Sequence, residues 1–127
     1  MSPAERQIVD EIGLKTATPN DLLSGSEKVI AWLRQTGVRN VAIHFDLDVL
    51  DPIELRTLYF SRPDAERDAF HGIPQGRMKI AEVVRLLSDV ADNCNVVGLG
   101  ITEFLPWDMA TVRDLLRRLP LLRDGET

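Results

Sequence analysis

Two aspartates, Asp46 and Asp48, follow the apolar run Val41–Phe45, which is typical of a buried strand. Side chains on a strand alternate between its two faces, so residues at i and i+2 point the same way. Two carboxylates roughly 5 Å apart repel each other by several kcal/mol when the effective dielectric constant is near 20. A cation between them, protonation of one, or solvation of both relieves that repulsion. The pair therefore predicts half of a metal site; the alternative is a solvated strand end whose acids cap the next segment.

A third acid, Glu103, follows a second apolar run, Val96–Ile101. In parallel α/β folds, ligands bind beyond the carboxyl ends of the strands, so the three acids are expected to line one crevice. They suit a divalent cation, a cationic substrate or both, and carboxylates favour hard ions such as Mg²⁺, Ca²⁺ and Mn²⁺. His44 is in phase with the two aspartates and could face the same crevice, although a hydrogen-bonded core histidine is the commoner role.

The elements that position these residues alternate between helix and strand. Apolar spacing and caps predict helices over residues 3–12, 27–36, 79–92 and 108–119, and strands over residues 14–17, 41–45 and 96–101. Apolar strands of this kind favour a parallel sheet that helices cover on both faces. Trp32 is expected in the core, and Ser26 is expected to cap the second helix. The predicted fold is α/β, in one domain over residues 1–127.

Residues 51–77 form a long polar connection, and a loop of that length inside a compact domain is usually functional. A helical turn is expected over residues 54–60, and Asp51, which precedes Pro52, is expected to start a turn. His71 also lies in this connection, where substrate contact and plain solvent exposure are equally open. Residues 123–127 are expected to fray.

The composition excludes several classes of partner. The net charge is −5 with both signs interleaved, which leaves no basic footprint for nucleic acid or anionic membranes. No apolar run approaches the roughly 20 residues of a membrane span, and the amino-terminal residues lack the apolar stretch of a signal peptide. The single cysteine, Cys94, cannot form an internal disulfide. The sequence therefore predicts a cytoplasmic protein with no nucleic-acid or membrane partner.

Two segments, His44–Pro52 and Gly98–Pro106, resemble the ureohydrolase family of arginases, agmatinases and formiminoglutamases. The first matches that family's strand followed by F-D-x-D-x-x-D-P, and the second matches its later strand leading into an E-x-x-P turn. The resemblance covers most of the chain. It implies a three-layer αβα fold with a parallel sheet, arginase-like, of which this chain is the C-terminal part only.

The resemblance also implies a chemistry. Asp46 would bridge two Mn²⁺ ions, Asp48 would ligate one of them, and Glu103 would hold the guanidinium group of a small-molecule substrate through paired charge-assisted hydrogen bonds. His71 is assigned to substrate contact from its place in the loop. The metals would lower the pKa of a bridging water, and the resulting hydroxide would attack the guanidino carbon and release urea.

The chain departs from the family pattern at two places. It contains no D-x-H-x-D cluster, which supplies the family's other metal ligands. The segment after Asp51-Pro52 also lacks the Gly/Thr-rich loop of arginases and agmatinases, which leaves the substrate open among arginine, agmatine and formiminoglutamate. Because metal affinity grows with ligand count, the chain alone is expected to be inactive, and to self-associate or to need the upstream half.

Two other functions fit the same residues. In a haloacid-dehalogenase-like phosphatase, Asp46 would be the nucleophile and Asp48 the acid–base, although the Gly-Thr that normally follows that motif is replaced by Val49-Leu50. In a non-catalytic, arginase-like interaction module, the half-fold would persist without catalysis. Its exposed strand edge and helix faces would then require a partner or a second copy.

Overall fold

The computed structural model describes residues 2–66 and 69–122, and within them the chain is a mixed α/β protein with four helices and a two-stranded parallel sheet. The elements, in chain order, are α1 (Pro3–Glu11), α2 (Glu27–Thr36), β1 (Asn40–Asp46), α3 (Ile80–Asn93), β2 (Asn95–Thr102) and α4 (Met109–Leu116). Three single-turn 3-10 helices lie at Asn20–Leu22, Leu47–Val49 and Tyr59–Ser61. The predicted tail at residues 123–127 lies outside the described residues.

Local sequence signals account for the helix boundaries. The capping box of Ser2 and Glu5 begins α1, with Pro3 at its first position. Gly37 ends α2 in the left-handed conformation, at φ 67°. The Asp108 carboxylate begins α4, because it accepts hydrogen bonds from the backbone N–H and the hydroxyl of Thr111. The four predicted helices are therefore confirmed to within a few residues.

The two strands run parallel, and α3 makes the crossover between them. Their register runs from Asn40 opposite Asn95 to Asp46 opposite Thr102, with one irregularity after Val41. The carboxyl ends of β1 and β2 therefore lie side by side. This is the arrangement that the sequence predicted for the acids that follow the strands.

Helices cover only one face of this sheet within the described residues. Val41, Ile43 and Val96 pack against buried side chains of α2 and α3. Burial along β1 alternates, and the opposite face exposes Ala42, His44 and Asp46. Parallel sheets normally have both faces covered, so the second face of this one lacks the layer that such sheets require.

The connection over residues 51–77 contributes to the core, which its polar sequence did not indicate. Leu55 and Leu58 are fully buried, as is Leu50 just before the connection, in a cluster that also contains Phe45 of β1 and Leu115 of α4. The predicted helical turn over residues 54–60 is only partly present, as the 3-10 helix at Tyr59–Ser61. A packed connection of this kind holds the residues around it in place.

Three expectations are corrected by the structure. Residues 14–17 form no strand; the chain instead turns into the 3-10 helix at Asn20–Leu22, where Thr18 and Asp21 cap each other. Trp32 is 39% exposed rather than packed in the core. Ser26 is buried before α2, but its hydroxyl caps nothing and has no hydrogen-bond partner.

The amino-terminal helix α1 has no buried residue, and Ile8 and Ile12 are more than half exposed, at 57% and 68%. Among the described residues, no helix combines the length and apolar character that crossing a bilayer requires.

Candidate functional site

Asp46 is the last residue of β1, and its side chain begins the turn that follows. Its Oδ1 accepts a hydrogen bond from the backbone N–H of Asp48 at 2.9 Å, which starts the 3-10 helix at Leu47–Val49. Asp48 therefore lies in a turn, and the strand alternation used to pair the two aspartates is wrong. The capping role expected of a strand-end acid is present at Asp46.

Asp48 is nevertheless close enough to two other acids to interact with them electrostatically. Partial burial, together with the negative charges of Asp46 and Glu103, raises the pKa of the Asp48 carboxyl above its ordinary value. Its Oδ1 is buried and has no hydrogen-bond partner. A buried carboxylate oxygen without a partner normally costs free energy, and a cation placed there would relieve that cost.

Glu103, the first residue after β2, has a strained backbone. Its φ is 61°, in the left-handed region that residues other than glycine rarely adopt. That conformation costs a non-glycine residue roughly 1–2 kcal/mol, and such strain often occurs at functional sites. Its neighbour Thr102 is the register partner of Asp46. The strained turn therefore places an exposed carboxylate beside the Asp46–Asp48 turn.

His44 lies on the exposed face of β1, two residues before Asp46, and is not a core histidine. Its Nε2 is 3.2 Å from the Oγ1 of Thr102 on the neighbouring strand. This hydrogen bond joins the two strand ends that carry the acids. His44 thus borders the site on the uncovered face of the sheet, as its phase predicted.

The turn that carries Asp48 is held from the other side by residues 76–78. Met78 donates its N–H to the Val49 carbonyl at 3.1 Å and accepts from the Asp51 N–H at 2.9 Å. Gly76 packs directly on the turn: a Cβ at this position would overlap the carbonyl oxygens of Asp48 and Leu50. Sequence reasoning missed this role of Gly76, although an isolated glycine in a loop can mark a close backbone approach.

The sequence also singled out Asp51 and His71. Asp51 begins a turn as expected: its Oδ1 accepts from the Ile53 N–H at 2.8 Å, and its carbonyl accepts from the N–H of Leu55. His71 is exposed in the turn at residues 69–72, and no hydrogen bond links it to Asp46 or to Glu103. The structure therefore places Asp46 and Glu103 near enough to Asp48 to raise its pKa, and it shows no hydrogen bond from His71 to Asp46 or Glu103.

The donor set fits a metal centre in part. In residues 2–66 and 69–122, no three or more histidine, cysteine, aspartate or glutamate side chains are placed to hold one metal ion together. The partnerless Oδ1 of Asp48 and the clustered negative charge fit the carboxylate side of such a centre. If a metal binds there, ligands from outside the described residues would be needed to complete its coordination.

Neither the models of known protein families nor the curated proteins include a match to this chain.

Proposed function

We propose that this chain is the C-terminal part of a manganese-dependent ureohydrolase of the arginase type. In this proposal the sheet and its one helical layer belong to a three-layer αβα fold, whose second helical layer and further strands lie in another segment. The strand-end motifs Asp46–Pro52 and Glu103–Pro106 support the assignment, as does the parallel register that puts those strand ends side by side.

The observation that carries the proposal is the environment of Asp48. A surface acid that serves only as a cap is solvated, or paired with a donor. Asp48 is instead partly buried, next to two like charges, with one oxygen unpaired, and its pKa is raised. Folding retains an arrangement that is unfavourable without a cation, and perturbed carboxyl groups of this kind cluster at functional sites.

The roles follow from the positions of the side chains. Asp46 and Asp48 would hold Mn²⁺, and Glu103 would bind the guanidinium group of the substrate. When bound, the metal would supply Lewis-acid activation of a water molecule near neutral pH. Gly76 and the 3-10 turn would hold the backbone that carries the Asp48 carboxylate, and His71 stays a proposed substrate contact.

The chain by itself should not catalyse the reaction. Its sequence contains no D-x-H-x-D cluster, and both histidines lie outside such a motif. With only two carboxylates as ligands, a divalent ion would be bound weakly, because affinity depends on ligand number and rigidity. The completing ligands would come from an upstream half.

The coding sequence on the amino side of Met1 provides the test. A chain extended in that direction should contain a D-x-H-x-D cluster and should release urea from arginine, agmatine or a related guanidino compound when Mn²⁺ is present. Asp48→Asn should abolish this activity, whereas Asp92→Asn, which removes the same charge from an exposed position on α3, should not. An extended chain without the cluster, or urea release by the 127-residue chain alone, would refute the proposal.

A non-catalytic interaction module is the second candidate, and one observation favours it. The described residues assemble no three-ligand group, and one sheet face is uncovered. A module of this kind would bind its partner equally well with or without Mn²⁺. Hydrolysis of a generic phosphate ester, lost in Asp46→Asn, would instead support the phosphatase alternative.

A further inference from the structure

The helix α1 carries a narrow apolar stripe that nothing in the described chain covers. At 100° per residue, Ala4, Ile8 and Ile12 share one side, and Glu5 and Glu11 flank that side to the left and right. Ile8 and Ile12 are 57% and 68% exposed. The face is therefore apolar along its centre and acidic along both edges.

A helix this short needs tertiary contacts to be stable. Isolated helices under about 12–15 residues are marginal in water, because nucleation is unfavourable, and α1 has nine residues. Its capping box and its proline satisfy the amino-terminal end but do not bury apolar surface. A covering surface for the Ile8–Ile12 stripe would supply what the helix lacks.

A groove along α2 has the complementary character. Its volume is about 320 Å³, and its lining includes the apolar side chains of Ala17, Val29 and Trp32 together with Lys15 and Lys28. Trp32 is 39% exposed there. Lys28 also pairs with Asp21 at 2.8 Å, but no acid lines the groove itself. A groove with apolar side chains and two lysines in its lining therefore complements, in charge and apolar character, an apolar stripe with a glutamate on each side.

We propose that α1 of one copy docks in the Trp32 groove of a second copy, so that two chains exchange their amino-terminal helices. Each docking would bury Ile8 and Ile12 against Val29 and Trp32, and would bring Glu5 and Glu11 to the two lysines. Reciprocal exchange gives a closed two-fold dimer. This proposal is independent of the metal site.

The test measures self-association of the full chain and follows Trp32 directly. In a Trp107→Phe background, Trp32 is the only tryptophan, so its emission reports burial of the groove. Sedimentation equilibrium should show a dimer. In a separate fluorescence measurement, the Trp32 emission should shift to the blue as the protein concentration rises. Dissociation should increase several-fold between about 50 mM and about 500 mM NaCl, because the flanking charges are screened.

Two variants locate the contact. Ile8→Asp should weaken dimerisation by at least about tenfold, as expected for a central apolar anchor, and should leave the unfolding transition of the core intact. Ile53→Asp is the matched control, because Ile53 is 78% exposed and lies outside both surfaces. A monomer at about 1 mM, a dimer insensitive to Ile8→Asp, or an unshifted Trp32 emission would overturn the proposal.

Discussion

Replacing Gly76 with alanine would place a methyl group on the backbone of the turn that carries Asp48. The atoms it would meet are the carbonyl oxygens of Asp48 and Leu50 and the carbonyl carbon of Val49. These are main-chain atoms of the 3-10 helix and of Leu50, which follows it. Hydrogen bonds hold this backbone on both sides, so it cannot move aside as a flexible side chain would. The variant should therefore displace either the 76–78 segment or the Asp48 turn.

Gly25 provides a matched control for the effect of the added methyl group on the free energy of unfolding. Gly25 has open space around its Cβ position and does not adopt a positive φ. Gly25→Ala should therefore stabilise the protein by about 0.4–1 kcal/mol, because alanine restricts the unfolded chain. Gly76→Ala shares that gain but adds overpacking that typically costs about 1–3 kcal/mol. The difference between the two variants should therefore be about 1–3 kcal/mol.

Thermal unfolding followed by circular dichroism measures this difference. At roughly 4 °C per kcal/mol for a chain of this size, Gly76→Ala should melt roughly 4–12 °C below Gly25→Ala. Equal melting temperatures, or a Gly76→Ala variant more stable than wild type, would show that residues 76–78 do not pack on the Asp48 turn. The support of the Asp48 turn by residues 76–78 would then be refuted.

Two further predictions concern the acids themselves. Asp48→Asn should stabilise the metal-free chain at pH 7, since it removes a charge disfavoured by burial and by two neighbouring carboxylates. The raised pKa means that the folded state holds this proton more tightly than the unfolded state, so wild type loses stability as pH rises from the ordinary value of 3.8 to the raised one. Urea titrations at several pH values should show the advantage of Asp48→Asn growing across that window; an advantage that is constant with pH would contradict the assigned cause. Glu103→Gly should be about 1 kcal/mol more stable than Glu103→Ala, because both lose the carboxylate but only glycine relieves the left-handed strain. Equal stability of those two variants would show that the left-handed conformation of residue 103 does not strain the backbone.

The sequence predicted the regular elements well wherever a local signal determines the structure. The apolar stripes of α2 and α3 and the stop at Gly37 fixed those helices, and the apolar runs ending at Asp46 and Thr102 fixed the strands. The strand predicted at Leu14–Ala17 is absent, because so short a segment becomes a strand only if it pairs with a neighbour, and pairing is a tertiary property.

The sequence predicted that the three acids lie near one another, but it did not predict the geometry around them. That Asp46, Asp48 and Glu103 lie at neighbouring strand ends follows from two parallel strands in register. The 3-10 turn after Asp46, the left-handed Glu103 and the packing of Gly76 against Asp48 depend on backbone contacts between segments far apart in sequence. No local sequence pattern predicts these contacts. The burial of Leu55 and Leu58 was hidden for the same reason, because polar neighbours surround them in the chain.

The central claim is that Asp46 and Asp48 form the carboxylate side of a manganese centre that this chain does not complete. Titration of the 127-residue chain with Mn²⁺, followed by electron paramagnetic resonance of the free ion, tests it most directly. Wild type should bind one Mn²⁺ weakly, with a dissociation constant of roughly 0.1–1 mM. Asp48→Asn should lose this binding, and Asp92→Asn should retain it. Equal binding by wild type and Asp48→Asn, or no binding by wild type, would contradict the account.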